Sequence, residues 1–286
     1  MSVAGIDVGG TKCHGVALGA DGEIVAEVRH PTPHASELVS LLADMYAELG
    51  GDGPLGVGVP GLVTRGGIVR ASPNVEGAFN IPVGPGLREI LGVHVHVEND
   101  ATAAAFGEWK SGAARGANDA VMVTLGTGIG GGIVMGGRLQ RGSNGFVGEI
   151  GHMVVQSDGV PCPCGRRGCW ERYASGSALR MLSGGKSGEE VFAAHEAGDP
   201  ASAEVLDTFA RWVALGLANL TNVCDPEVIV IGGGVVDSMS GIMDLVRTRF
   251  GEALYSSEWR PHPRLETAVL GSRAGAIGAA HMAAAD

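Results

Sequence analysis

The stretch that decides the fold is Val3-Ala4-Gly5-Ile6-Asp7-Val8-Gly9-Gly10-Thr11-Lys12-Cys13-His14-Gly15-Val16-Ala17-Leu18. Two apolar runs, Val3 to Val8 and Cys13 to Leu18, flank a turn of adjacent glycines. A second turn, Ala20-Asp21-Gly22, leads into Glu23 to Arg29, so the segment reads as three antiparallel strands joined by hairpins. A P-loop or dinucleotide-binding turn runs from a strand into a helix, whereas this one joins two strands. Adjacent glycines let backbone N–H groups come close to phosphate oxygens. Thr11 adds a hydroxyl, Lys12 a point charge, and Asp7 is placed to hold Mg²⁺ through water. Asp7, Gly9, Gly10, Thr11 and Lys12 therefore form a candidate phosphate turn, although the turn taken alone also fits a plain hairpin.

The pattern recurs further along. Val121 to Leu125 is a strand, Gly126-Thr127-Gly128-Ile129-Gly130-Gly131-Gly132 a turn, Ile133 to Met135 the next strand and Gly136-Gly137 the next hairpin. Apolar spacing predicts helices over 36–49 and 200–222, and a strand at Val228 to Ile231 runs into Gly232-Gly233-Gly234. This is a weak internal repeat, of architecture more than of sequence. Two similar lobes facing one another would form a cleft suited to a small ligand. Three glycine turns in this order point to a nucleotide held between the lobes, with Thr127, Gly128, Gly130, Gly233 and Gly234 as contacts from the second. Ser111-Gly112-Ala113-Ala114-Arg115-Gly116 interrupts the periodic pattern, which places a lobe boundary near 110–120. The alanine-rich 273–284 stretch is expected to form a helix that packs back on the first lobe. The expected division is residues 1–117 plus 272–286 for the first lobe and 118–271 for the second.

Composition narrows the class of partner. A net charge of −11 with no basic run argues against nucleic acid or an anionic membrane. Residues 120–137 carry no charge, but their glycines would each cost about 1 kcal/mol inside a helix, so strand–turn–strand is the better reading than a membrane span. No signal peptide is visible, and the five cysteines suit a reducing compartment, so a cytoplasmic location is expected. Cys13 and Cys224, alone in apolar segments, read as buried reduced thiols.

Two constellations carry chemistry. His152 is followed by Cys162-Pro163-Cys164-Gly165-Arg166-Arg167-Gly168-Cys169-Trp170-Glu171. One imidazole and three thiols at this spacing suit a tetrahedral Zn²⁺ held by His152, Cys162, Cys164 and Cys169. Four protein ligands leave no open position, so the ion would be structural. With one ring nitrogen on the metal, the other nitrogen of His152 is fixed as a donor. Glu149 and Glu171 flank the cluster and are placed to accept hydrogen bonds from polyol hydroxyls. The second constellation is Glu98-Asn99-Asp100, where a strand gives way to a helix starting at Ala101. Asp100 reads as an N-cap, as a base taking a hydroxyl proton while that oxygen attacks a phosphate, or as both at once. Asn99 offers both a donor and an acceptor, Glu98 reads as structural, and His94 and His96 read as exposed residues on one strand face.

With these residues in view, the chain resembles the ROK family of sugar kinases and repressors, most of all its bacterial glucokinases. Asp7 to Lys12, Glu98 to Ala101, Leu125 to Gly132, Gly148 to His152 and Cys162 to Glu171 carry the resemblance. It implies an α/β, actin-like (ribonuclease H-like) ATPase fold of two lobes that close on substrate. It further implies Asp100 as catalytic base toward the sugar 6-hydroxyl, with Asn99, Asp100, Glu149, His152 and Glu171 holding the sugar. Gly61 and Asn74 stand where relatives place further sugar-side loops. The implied activity is ATP- and Mg²⁺-dependent phosphorylation of glucose in a homodimer or homotetramer. N-acetylglucosamine or N-acetylmannosamine kinase, or a sugar sensor without catalysis, are the alternatives, and polyphosphate is an alternative donor. Two positions depart from the family pattern. Thr102 stands where asparagine is common, and Trp170 where leucine is common, beside Glu171 where it would reshape the pocket. Repressor members carry an N-terminal helix-turn-helix, and a phosphate turn starting at Asp7 leaves no room for one.

Overall fold

The computed structural model describes residues 2–72, 74–239 and 241–285; Met1 and Asp286, assigned above to the first lobe, fall outside it. The hairpin stretch folds as read. Strands β1 (Val3–Val8), β2 (Lys12–Leu18) and β3 (Ile24–Pro31) are antiparallel neighbours, and β4 (Leu55–Val59) lies parallel to β1. A small antiparallel sheet of β5 (Leu62–Val63), β6 (Val69–Ala71) and β7 (Phe79–Ile81) follows, and β8 (Val95–Asn99) closes the main sheet beside β4. The first lobe's helices are α1 (Leu38–Glu48), α2 (Val83–Leu91) and α3 (Asp100–Ser111).

Strand alternation sorts the faces of this sheet. Ala4, Ile6 and Val8 of β1 pack with Leu38, Leu42 and Met45 of α1 and with Val83 and Leu87 of α2. The opposite face of β1 presents Gly5 and Asp7.

The second lobe repeats the plan. Its sheet runs in the order β11 (Arg138–Leu139), β10 (Ile129–Met135), β9 (Ala120–Leu125), β12 (Val228–Gly232), β13 (Arg264–Thr267). That order and its parallel and antiparallel pairings match β3-β2-β1-β4-β8, so the weak repeat seen in the sequence is a true repeat of topology. The helices here are α4 (Glu171–Ala174), α5 (Gly176–Leu182), α6 (Gly188–Glu196), α7 (Pro200–Cys224), α8 (Gly234–Asp237) and α9 (Ile242–Ala253). Val121, Val123, Ile229 and Ile231 pack against Phe209, Val213 and Leu217 of α7 and Val246 and Phe250 of α9. Asp199 caps α7, accepting from Ser202 N–H at 3.1 Å, and Pro200 follows at the first helical position. Cys13 is fully buried as expected, while Cys224, at the end of α7, is only half-buried.

The last helix, α10 (Ala274–Ala285), returns to the first lobe. Gly5 and Gly56 leave no room for a side chain under it: a Cβ on either would overlap the backbone of Ala276 or Ala279. Gly278 is equally tight against the Ala103 carbonyl of α3. Helix α3 also meets the second sheet, where a Cβ on Gly130 would stand 2.6 Å from that of Ala101. Among the described residues no helix is long and apolar enough to cross a membrane.

Candidate active site

The carboxyl ends of β1, β8, β9 and β12 carry most of the candidate residues. The first turn is closed by a Gly9 N–H bond to the Lys12 carbonyl at 2.9 Å. Thr32, a residue without any local signal, buttresses it: its hydroxyl donates to the Gly9 carbonyl at 2.6 Å and its N–H to the Thr11 carbonyl at 3.1 Å. Thr11 and Lys12 are exposed beyond the turn, and Asn74 backs it, its Cβ 3.6 Å from where a Gly10 Cβ would stand.

Asp7 lies in a slot that two glycines keep open. A Cβ on Gly275, in the first turn of α10, would stand 2.5 Å from its carboxyl carbon, and one on Gly58 would stand 3.3 Å from its Oδ1. That buried Oδ1 has no hydrogen-bond partner. Burial, with the nearby Asp100 carboxylate, raises the Asp7 pKa to about 8.

Asp100 is the first residue of α3, and the cap is its neighbour. The Asn99 side-chain carbonyl accepts from Thr102 N–H at 3.0 Å, and its amide donates to the Gly61 carbonyl at 3.1 Å. The N-cap reading of Asp100 is thus corrected: both residue types favour that position, and backbone geometry gives it to Asn99. Asp100 is free to face the cleft, with its Oδ1 on its neighbour's N–H, Ala101, at 2.9 Å. Burial, partly offset by that hydrogen bond, raises its pKa to about 6, and Glu149 pushes in the same direction. Gly61 adopts φ +101°, open to glycine alone at low cost, and a Cβ there would overlap the Ala71 carbonyl.

In the second lobe Gly126 N–H donates to the Gly128 carbonyl at 3.0 Å and Gly130 N–H to Thr124 Oγ1 at 3.2 Å. Helix α5 buttresses this turn through Ser177, whose hydroxyl donates to the Thr127 carbonyl at 2.7 Å. Gly233, at φ +96°, sits over the end of β9, where a Cβ would stand 2.6 Å from the Leu125 carbonyl, and Gly234 opens α8. The second and third turns are therefore adjacent.

His152, Cys162, Cys164 and Cys169 place their ligand atoms within 4.8 Å of one another. Tetrahedral Zn²⁺ with sulfur at about 2.3 Å requires sulfurs about 3.8 Å apart. Cys164 and Cys169 Sγ are 3.6 Å apart, and Cys162 Sγ is 4.0 Å from His152 Nδ1, so the group fits the ion. Burial pushes the Cys162 thiol up to about 12, and coordination is what would make it a thiolate at neutral pH. His152 turns Nδ1 to the thiols and Nε2 to Glu149, whose Oε2 is 3.9 Å away. Glu171 links this cluster to the second turn. Its Oε1 accepts from the Cys162 thiol at 3.2 Å, and a Cβ on Gly128 would stand 2.6 Å from its Oε2. Burial raises the Glu149 pKa; His152 lowers it and Glu171 raises it.

Three further residues complete the surroundings. Glu98 is buried and pairs with Arg141 across the cleft at 2.5 Å, while its other oxygen accepts the Asn99 N–H at 3.0 Å. The structural reading of Glu98 stands, and Arg141, 43 positions away, had no signal in the sequence. His96 is half-buried, with Nε2 4.0 Å from Glu98, and not exposed as expected. Trp170 does not line the site. It is fully buried in the second-lobe core, stacked over Gly216 of α7 with its indole N–H on the Trp212 carbonyl at 2.7 Å.

Two sheets of repeated topology, with carboxylates and glycine turns gathered at their carboxyl ends, define a protein of the actin-like ATPase fold. The chain belongs to the ROK family, whose model matches residues 3–286. It is 34% identical to a glucokinase of Streptomyces coelicolor, over 98% of this chain and 96% of that one. The crystal structure of a ROK family glucokinase from Streptomyces griseus in complex with glucose and AMPPNP superposes with a TM-score of 0.88 at 34% identity, covering 100% of both chains. That of a ROK hexokinase from Thermus thermophilus gives 0.87 at 36% identity, covering 100% of this chain and 98% of that one. Relatives of other roles also match, among them an N-acetylmannosamine kinase of Escherichia coli (31% identity; 95% and 97% covered) and a xylose repressor of Bacillus subtilis (30%; 96% and 74%).

Proposed function

We propose that the protein is an ATP-dependent glucokinase that phosphorylates the 6-hydroxyl of glucose. The observation that carries this reading is Asp100, a carboxylate free of capping duty at the head of α3, whose pKa burial and the Glu149 carboxylate raise to about 6. A base with a pKa near the working pH is suited to receive a hydroxyl proton. Asp100 takes the proton from the 6-hydroxyl as that oxygen attacks the terminal phosphate in line. Asn99, with one amide hydrogen and one lone pair left after capping, Glu149, Glu171 and the Nε2–H of His152 hold the ring hydroxyls, with Gly61 and Asn74 forming the outer wall. Gly9, Gly10, Thr11 and Lys12 meet the phosphates from one lobe, and Thr127, Gly128, Gly130, Gly233 and Gly234 meet the nucleotide from the other. The unpartnered Oδ1 of Asp7 fits Mg²⁺ held through water. When bound with ATP, Mg²⁺ neutralises phosphate charge. Zn²⁺ on His152, Cys162, Cys164 and Cys169 fixes the imidazole and the loop that leads to Glu171.

The working division is residues 1–117 with 272–286 against 118–271, supported by the packing of α10 on β1 and β4. A coupled assay with ATP and Mg²⁺ across glucose, mannose, fructose, N-acetylglucosamine and N-acetylmannosamine tests the substrate. Preference for glucose is expected. Preference for an N-acetyl sugar would move the protein to the hexosamine kinases, and no turnover with any hexose would favour a sensor.

A further inference from the structure

Two segments join the lobes: residues 112–119, between α3 and β9, and residues 268–273, between β13 and α10. One side chain holds both. Glu108, near the end of α3, is fully buried. Its Oε2 accepts the N–H of Ala113 at 2.8 Å, in the first crossing. Its Oε1 accepts the N–H groups of Val269 and Leu270 at 2.9 and 2.8 Å, in the second. Gly112 makes room for it, since a Cβ there would overlap the carboxylate. The next residue, Trp109, adds a hold on the first crossing, its indole N–H donating to the Ala117 carbonyl at 2.7 Å. The second crossing has its own tie to the first lobe, His14 Nδ1 lying 3.1 Å from the Ser272 carbonyl.

A buried carboxylate is costly unless several donors satisfy it. Here the three donors belong to segments about 155 residues apart in the chain. The same helix starts with Asp100, about 12 Å back along its axis. We propose that Glu108 is a positioning residue that locks the two crossings into one joint, so that Asp100 and the Gly126–Gly130 turn meet in a single register when the lobes close. Without it each crossing moves on its own, and the lobes close along many paths, few of which align base and phosphate.

The test uses Glu108→Gln, which keeps the shape but turns an amide toward an N–H donor, and Gly112→Ala, which displaces the carboxylate without removing it. Amide hydrogen exchange is followed in peptides covering 112–118 and 268–273, with peptides of β1 and β9 as references. Exchange should rise at least tenfold at both crossings and stay unchanged in the references. In the kinase assay kcat should fall at least tenfold while glucose affinity stays within about threefold, a split that general destabilisation would not produce. A uniform rise in all peptides, a rise at one crossing only, or no rise overturns the proposal. In the unaltered protein the amides of Ala113, Val269 and Leu270 should be equally protected, and unequal protection overturns it without any variant. The turnover arm rests on the sugar-kinase reading and the exchange arm does not, so the two can fail separately.

Discussion

At the scale of single residues the proposed chemistry turns on Asp100. Asp100→Ala should lose turnover by several orders of magnitude while glucose binding survives, measured by steady-state kinetics beside calorimetry; full activity would remove Asp100 from the mechanism. Because the base must be ionised, kcat/KM of the free enzyme should fall about tenfold per pH unit below about 6. The same shift acts on stability. A carboxyl whose folded pKa lies above its unfolded value holds its proton longer in the native state, so native stability declines as pH rises from about 4 to about 6. Asp100→Asn should therefore melt higher than the parent at pH 8 and no higher at pH 4. How much of this was legible varies by residue. Asp100 stood out because it lies between a strand and a helix, but two adjacent cap-forming residues could not be told apart until backbone geometry assigned the cap to Asn99. Thr32, Ser177, Arg141 and Glu108 were not legible in their roles, because each acts on a partner far along the chain and no local periodicity marks such a pair.

Among the elements, the loop from His152 to Glu171 is the one whose ligand group fits a metal. Its spacing was plain in the sequence because ligand geometry dictates it. Cys164→Ser, or stripping with a chelator, should release zinc and weaken glucose binding at least tenfold, as zinc quantitation and titration calorimetry would show; unchanged affinity in metal-free protein would separate the metal from the sugar site. The other anchor of this loop is Trp170, set over Gly216. Gly216→Ala gains helix propensity of about 1 kcal/mol yet places a methyl group inside the indole, and overpacking at about 1–3 kcal/mol should win. A lower melting temperature is expected, together with weaker sugar binding, because Glu171 follows Trp170 directly. The sequence alone suggested a Trp170 that reshapes the pocket, since adjacency to Glu171 was visible and the glycine that receives the ring, 46 positions on, was not.

For the whole molecule, the repeat of topology was readable from strand–turn–strand patterns, while the contact of α3 with the second sheet was not, because it is made by glycine and alanine and carries no hydrophobic signature. Within the first lobe, Gly278→Val should be costly beyond its local chemistry. Its side chain would force α10 away from the Ala103 carbonyl, and with α10 would go the cover over Gly5 and Gly56. Thermal unfolding of that variant should shift down by several degrees, with the loss concentrated in first-lobe peptides by hydrogen exchange. Equal loss in both lobes would argue that α10 serves the two alike.

The return of α10 also sets a timetable for synthesis. Ribosomes deliver β1, β2, β4 and β8 first, and the helix that seals their glycine-lined face roughly 175 residues later. At about 5–20 residues per second, that face waits on the order of ten to thirty seconds for its cover. During that interval the second lobe, contiguous in the chain apart from its crossings, can complete its own sheet. The nascent first lobe is thus the species a chaperone would meet, and translation speed through the second half should influence the yield of folded protein more than codons near the start.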